Sequence, residues 1–304
     1  MVSDFEHKKK VIAAIPAFNE EYAIGSVVLR THLFVKQVIV VDDGSHDHTA
    51  EIAQLAGAIV VKHEKNQGYG AAIKTIFITA QKMDADELVI LDADGQHNPC
   101  DIPKLLAPIE SGADVVIGSR FLEEKSSVPK YRKIGMKILD RATNIAGKIS
   151  TSDSQSGFRA YSRNAIEKLS IDGNGMVAGS EILIDAGNSG LVIAEVPIDA
   201  KYNIPNTSSF NPFYHGISVL SNIINLISYQ RPLISFGIPG VILMVIGTFL
   251  AFWTLSIYTA YGVFPYSMTV ICGVILLLGL MLINTALVLN STVQLIRKTR
   301  NEKE

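Results

Sequence analysis

The chain has 304 residues and is nearly balanced in charge, with 27 Lys and Arg against 29 Asp and Glu and a net charge of −2. That balance supplies no basic field for nucleic acid. Its 2 cysteines belong to no CxxC or zinc-like spacing, which argues against a disulfide framework. The length allows a core of about 200 residues with a further segment beyond it. The opening MVSDFEHKKK lacks the apolar core of a signal peptide, so the first domain is expected to stay in the cytoplasm.

From residue 10 to about residue 120, short apolar runs alternate with helical patterns. KVIAAIPAF reads as a strand and EEYAIGSVVLRTH as a helix. QVIVVDDG follows, then a helix from about His48 to Ala56, then AIVVKHE. A helix is expected from about Tyr69 to Lys82, followed by the strand ELVILDADG, a further helix, and ADVVIGSR. Strands alternating with helices imply βαβ units and a mostly parallel sheet covered on both faces. Ligands of such sheets bind beyond the carboxyl ends of the strands. Asn19, Glu20, Asp42, Asp43, Asn66, Asp92, Asp94 and Arg120 gather there. After about Lys130 the alternation weakens: a helix over YRKIGMKILDRATNIAG, a strand into a helix over SGFRAYSRNAI, a helix over AGSEILIDAGNSG, and a strand at LVIAEVPI.

From Pro232 to Ile296 the chain has no Asp, Glu, Lys, Arg or His. Two membrane spans fit this run, at about Leu233–Leu255 and Met268–Leu289, because each needs about 20 apolar residues. The uncharged, aromatic SIYTAYGVFPYS between them reads as an interfacial turn. Arg231 precedes the first span, and Arg297, Lys298, Arg300 and Lys303 follow the second, so the positive-inside rule puts both ends in the cytoplasm. In NPFYHGISVLSNIINLISYQRP the apolar Phe213, Ile217, Leu220, Ile224 and Ile227 recur at helical spacing. Such an amphipathic helix lies either in the interface or on the globular domain. The expected organisation is a globular domain over 1–205, a juxtamembrane segment over 206–231, the hairpin over 232–296, and a basic tail over 297–304.

The chemistry centres on ELVILDADGQHNP. Residues i and i+2 of an extended segment project to one side, so Asp92 and Asp94 point together into the crevice. Gly95 relieves the sharp turn, and Gln96 and His97 add polar groups. Two hard oxygen donors suit Mg²⁺ or Mn²⁺, whose shell is completed by substrate phosphates. Two other readings stand beside this one: ordinary turn residues, and the nucleophile and acid of a haloacid-dehalogenase-like phosphatase. That family usually has Thr or Val after the Gly, on the first strand; here Gln96 follows, on the fourth. In VIVVDDGSHDHT, Asp47 or Thr49 is expected to cap the next helix, leaving Asp43 free to accept hydrogen bonds from a base or ribose. Gly68 and Gly70 precede a helix whose N-terminus can receive phosphate. The absence of GxGxxG argues against a dinucleotide cofactor.

IPAFNEE, VVDDGSHDHT, NQGYGAA, LDADGQHNP and VIGSRF occur in that order. Together they resemble glycosyltransferase family 2, in particular the polyprenyl-phosphate sugar transferases, over about residues 10–198. The resemblance implies an α/β GT-A fold, a Rossmann-like, mostly parallel sheet, followed here by a C-terminal two-helix transmembrane hairpin. It implies that Pro16, Phe18, Glu20, Val41 and Asp43 bind base and ribose. Asp92, Ala93 and Asp94 match the diphosphate and metal site, and Gln96 a further metal contact. Arg120 matches a phosphate contact, and Arg132 a second arginine near the lipid phosphate. Gln155, Gly157 and Phe158 fall in the acceptor-side motif. Mannose synthases of the family carry an Arg and then a Lys after EVPI, where Asn203 and Phe210 stand here. Lys201 is the nearest cation. This departure favours a UDP-sugar over GDP-mannose.

The expected activity is transfer of a hexose-type sugar, with inversion, from a nucleotide diphosphate sugar to a polyprenyl or dolichyl phosphate at the cytoplasmic membrane face. The acceptor is already an anion near neutral pH, so positioning and charge stabilisation carry the reaction. Glu181 is the candidate if a general base is used. A GDP-mannose-using dolichol-phosphate mannose synthase, a phosphatase, and a non-catalytic membrane scaffold are the alternatives. Homo-oligomers through the spans are compatible with the sequence.

Overall fold

The computed structural model describes residues 9–122, 130–169, 178–199 and 232–301. Contacts divide the chain into two units, Met1–Leu220 and Ser221–Glu304. In the first unit the strands are β1 (Val11–Ala17), β2 (Gln37–Asp42), β3 (Ile59–Lys62), β4 (Glu87–Ile90), β5 (Val115–Ser119), β6 (Arg159–Ser162) and β7 (Ile193–Pro197). The helices are α1 (Ile24–Thr31), α2 (Thr49–Leu55), α3 (Tyr69–Lys82), α4 (Ile102–Glu110), α5 (Lys130–Gly147), α6 (Arg163–Lys168) and α7 (Ala178–Asn188).

The strands form one seven-stranded sheet in the order β3-β2-β1-β4-β6-β5-β7. Neighbours pair parallel except β6, which runs antiparallel to both β4 and β5. The expected mostly parallel sheet is therefore observed. Every residue of β1 is buried, because its two faces meet different layers. Ala13, Ile15 and Ala17 join the core with Ile24, Val28 and Leu105 of α1 and α4. Ile12 and Ala14 join the opposite core with Ile73, Ile76 and Phe77 of α3 and Leu183 of α7. The period of two that alternates side chains across a strand makes an unbroken apolar run necessary there.

The antiparallel β6 shapes the site. Ile90 pairs with Arg159 across β4 and β6. Continuing that register by two residues sets Gly157 opposite Asp92. The start of β6 thus arrives at the same sheet edge where β1, β2, β4 and β5 end.

The second unit contains a wide π-type turn at Leu233–Gly237, then α8 (Ile238–Tyr261) and α9 (Tyr266–Asn301). Pro239 has no N–H to return to the preceding turn, which agrees with a widened turn just ahead of it. Two stretches, Ser235–Tyr261 and Tyr266–Thr292, have mean hydropathies of 2.2 and 2.5 and are long enough to cross a membrane. They pack through small residues: Gly240, Gly247 and Thr254 of α8 are buried, as are Cys272 and Ala286 of α9. Phe249, Phe252, Leu277 and Met281 face outward. Small residues inside and large apolar residues outside is the arrangement of helices that lipid solvates. The helices run past the expected ends at Leu255 and Leu289 because nothing stops them there; Gly262, at φ 65°, ends α8. The juxtamembrane segment, Lys201, Asn203, Phe210, Arg231 and Lys303 lie outside the described residues.

Candidate active site

Two loops at the ends of β1 and β2 are laced together. Asn19, in the left-handed region at φ 56°, donates its N–H to Ser45 Oγ at 2.9 Å, and its Oδ1 accepts from His46 N–H at 2.9 Å. Glu20 N–H donates to Thr49 Oγ1 at 2.8 Å, and Glu21 N–H to Asp47 Oδ2 at 3.2 Å. Phe18 is partly exposed, with its ring 6.5 Å from that of His46. Pro16 and Val41 are register partners inside the sheet. Gly44 has φ +75°, and a Cβ there would lie 2.6 Å from the Lys65 carbonyl carbon, so only glycine fits.

Asp92 and Asp94 follow β4. Gly95 turns the chain at φ 73°, and Asp94 Oδ1 accepts Gln96 N–H at 2.9 Å. Burial raises the pKa of both carboxyls, and the Asp92 charge raises that of Asp94 further. Glu20 shares this field: burial, then Asp94, Asp47 and Asp92, push its carboxyl up to about 7. His97 is buried against Phe158, with ring centroids 5.2 Å apart. Its Nδ1 lies 3.5 Å from Asp92 Oδ2 without a hydrogen bond, and burial pushes its pKa down to about 4.

The segment before β6 completes the edge. A Cβ on Gly157 would lie 2.5 Å from both carboxylate oxygens of Asp92. Asp153, fully buried, grips Arg120 by a two-pronged pair, Nε to Oδ2 and Nη2 to Oδ1, each at 2.7 Å. Asp153 Oδ2 also accepts Arg120 N–H at 3.0 Å. Arg159 is buried and donates to the carbonyls of Ser156, Gly179 and Ser154. Gln155 Nε2 donates to Ser180 Oγ at 2.8 Å. Asp140 of α5 accepts Ser154 N–H and Oγ–H, each at 2.7 Å, and burial pushes its carboxyl up to about 6.

The structure brings Glu20, Asp92, Ala93, Asp94, Gln96, Gly157 and Phe158 to one edge. Two expectations change, for Asp43 and for the cap of α2. Asp43 is largely engaged rather than free: its Oδ1 accepts from His63 Nδ1 and Gln67 N–H, and its Oδ2 from Gly68 N–H. The N–H groups of Gln67 and Gly68, just ahead of α3, are thereby given to Asp43, an internal anion. The N-cap of α2 is His48 without a side-chain cap bond, while Asp47 Oδ1 accepts from Thr49 N–H and Oγ1–H. Arg120 follows β5 with two of its nitrogens held by Asp153. Glu181 lies in the first turn of α7. Arg132 belongs to α5, but its side chain, like Lys201, lies outside the described residues. His63, Asp140, Asp153 and Arg159 also line or brace this edge, beyond the residues expected from sequence. A polar residue directly after an apolar strand was the signal for His63, and SDSQSGFR, with one acid and one base flanking the glycine, for Asp153 and Arg159.

The profile of glycosyl transferase family 2 matches residues 12–170, more than half of the chain. A UDP-N-acetylglucosamine–dolichyl-phosphate N-acetylglucosaminyltransferase of Methanococcus voltae is 37% identical over 218 residues, covering 64% of this chain and 86% of that protein. A dolichyl-phosphate hexose transferase of Haloferax volcanii is 31% identical over 217 residues, covering 70% of this chain and 92% of that protein. Among solved structures, glucosyl-3-phosphoglycerate synthase of Mycobacterium tuberculosis, in complex with Mn²⁺, UDP and phosphoglyceric acid, superposes with a TM-score of 0.57 at 22% identity. That superposition covers 73% of this chain and 78% of the other, and shows a shared fold. The five ordered motifs, the sheet with one reversed strand and the profile match agree: the chain belongs to glycosyl transferase family 2.

Proposed function

We propose that the chain transfers a hexose-type sugar from a nucleotide diphosphate sugar, preferentially a UDP-sugar, to a polyprenyl phosphate at the membrane surface, with inversion. The observation that carries this reading is the Asp92–Asp94 pair at the sheet edge, where burial disfavours both charges and the Asp92 charge further disfavours that of Asp94. Family membership supports the reaction class. The names of the two archaeal relatives support the lipid phosphate, and the apolar hairpin supports an acceptor held in a bilayer.

The donor set fits a divalent cation of the Mg²⁺ or Mn²⁺ kind. Among the described residues, no three His, Cys, Asp or Glu side chains come together as ligands. Such cations are commonly held by one or two carboxylates together with substrate phosphates. The mycobacterial synthase, solved with Mn²⁺ and UDP, supports the same choice. Asp94, with Asp92 and Gln96 beside it, would hold the cation, which supplies charge neutralisation for the departing nucleoside diphosphate. Glu20 and Asp94 each carry a raised pKa in the free protein, so positive charge arriving at the pair lowers both.

Arg120, oriented by Asp153, and Arg132 are assigned to the lipid phosphate. A guanidinium fork matches phosphate oxygens in two-point contacts. Pro16, Phe18, Glu20, Val41 and Asp43 are assigned to the nucleotide side, and Gln155, Gly157, Phe158 and Lys201 to the acceptor side. Glu181 is the proton acceptor if one is needed. The basic flanks of the hairpin support a cytoplasmic catalytic domain and C-terminus. The reading is tested by offering UDP- and GDP-sugars with polyprenyl and dolichyl phosphates to the full chain and weighing the lipid product. A sugar-phosphate lipid is expected; release of free phosphate from sugar phosphates, dependent on Asp92, would support a phosphatase instead.

A further inference from the structure

Asp43 stands at the end of β2 with a side chain only 5% exposed. Its Oδ1 accepts from His63 Nδ1 at 2.7 Å and from Gln67 N–H at 3.0 Å, and its Oδ2 accepts from Gly68 N–H at 2.7 Å. His63 directly follows β3, and its own N–H donates to the Asp42 carbonyl at 2.9 Å. The ring is 9% exposed, and its Nε2 lies 2.9 Å from Thr75 Oγ1 on α3. A carboxylate only accepts, so Nδ1 carries the proton toward Asp43; in the neutral ring Nε2 then accepts from the Thr75 hydroxyl. The ring is therefore fixed from both sides.

Each carboxylate oxygen offers about two in-plane acceptor positions. On Asp43, Oδ1 has both filled and Oδ2 has one, so among the described residues a single acceptor position remains, on Oδ2. Uracil presents one imide N–H between two carbonyls. Guanine presents N1–H and N2–H side by side, a pair that a carboxylate meets with both oxygens. An Asp43 whose Oδ1 is already occupied matches the first and leaves a donor of the second unpaired, which a buried site penalises.

We propose that His63 is a positioning residue that sets base selectivity: by filling Oδ1 of Asp43, it leaves one acceptor suited to uracil and unsuited to guanine. This rests on the reading that Asp43 faces the base of a nucleotide donor. The test is calorimetric titration of the full chain in detergent with UDP and with GDP, each with Mn²⁺, for the wild type, His63→Ala and His63→Asn. Wild type is expected to prefer UDP by at least about 10-fold, and His63→Ala to narrow the UDP:GDP ratio by about 10-fold, because Oδ1 regains an acceptor position. His63→Asn restores an N–H near the Nδ1 position and is expected to keep the wild-type ratio. If His63→Ala does not fold, Thr75→Val, which releases only the far side of the ring, is expected to narrow the ratio by about threefold.

An unchanged ratio in His63→Ala or, in its place, Thr75→Val overturns the proposal, whatever happens to affinity, as does a wild type that binds GDP as well as UDP. Either result leaves the transferase reading standing. A wild type that binds neither nucleotide overturns both.

Discussion

Gly157→Ala probes the register that joins β4 to β6. The added Cβ would lie 2.5 Å from both oxygens of Asp92, whereas carbon–oxygen contacts normally settle near about 3.4 Å. One partner must therefore give by about 1 Å. The backbone at Gly157 is close to its ladder with β4, so the Asp92 carboxylate is the part that moves. Its side chain is 35% exposed, which leaves room toward the crevice and puts the stability cost at the low end of the about 1–3 kcal/mol typical of overpacking. Activity should suffer more than stability. A catalytic group displaced by about 1 Å costs on the order of 100-fold in rate. The assay is sugar transfer to polyprenyl phosphate over a Mn²⁺ titration, with thermal unfolding of the same preparations. A small drop in Tm with a large loss of kcat and weaker Mn²⁺ dependence is expected. Wild-type rate and metal dependence would refute the assignment of Asp92 to the reacting edge.

Asp153→Ala leaves the Arg120 guanidinium without its buried carboxylate. It should destabilise the globular unit by about 3–5 kcal/mol in denaturant unfolding, as breaking a buried pair does. Gly240→Leu would drive a side chain into Ile283, whose Cγ1 would lie 2.8 Å from the added Cβ. The hairpin should loosen by about 1–3 kcal/mol, read as earlier thermal unfolding and faster proteolysis in detergent. Asp140 has a carboxyl raised to about 6 by burial. The folded state then holds a proton that the unfolded state has lost between about pH 4 and 6, so this group makes stability fall as pH rises through that window. Asp140→Asn keeps an oxygen for Ser154 and should remove the fall, gaining on the order of 2–3 kcal/mol over wild type at pH 8 relative to pH 4. Equal pH profiles for the two proteins would contradict the buried, raised carboxyl.

Much of the fold was legible because periodicity reports burial directly. The unbroken apolar runs of β1 and β2 predict strands covered on both faces, and α3 spans the expected Tyr69–Lys82. The five ordered motifs locate the sheet edge that carries Asp92 and Asp94. What was not legible is how hydrogen-bond acceptors are occupied. DDGS reveals a carboxylate at a strand end. It does not reveal that backbone donors 24 and 25 residues on, at Gln67 and Gly68, already engage Asp43. Likewise, GSR reveals an arginine aimed at the edge, while Asp153, 33 residues later, decides which of its nitrogens are engaged. Gly157 read as part of an acceptor motif. Its contact with Asp92 follows only once β6 is known to run antiparallel, because a parallel strand would bring a different residue there. The spans were legible in composition but not in length, since apolar content marks the bilayer and helix ends depend on a stop signal such as Gly262.

Mass analysis of the lipid formed when the full chain, in vesicles or detergent, receives a UDP-sugar, Mn²⁺ and a polyprenyl phosphate decides whether the chain builds a sugar-phosphate lipid. The expected result is a lipid heavier by one sugar residue, with UDP released in equal amount. Product should vanish on chelation and in Asp94→Ala. A full yield of sugar-lipid from Asp94→Ala with the metal chelated would contradict the account.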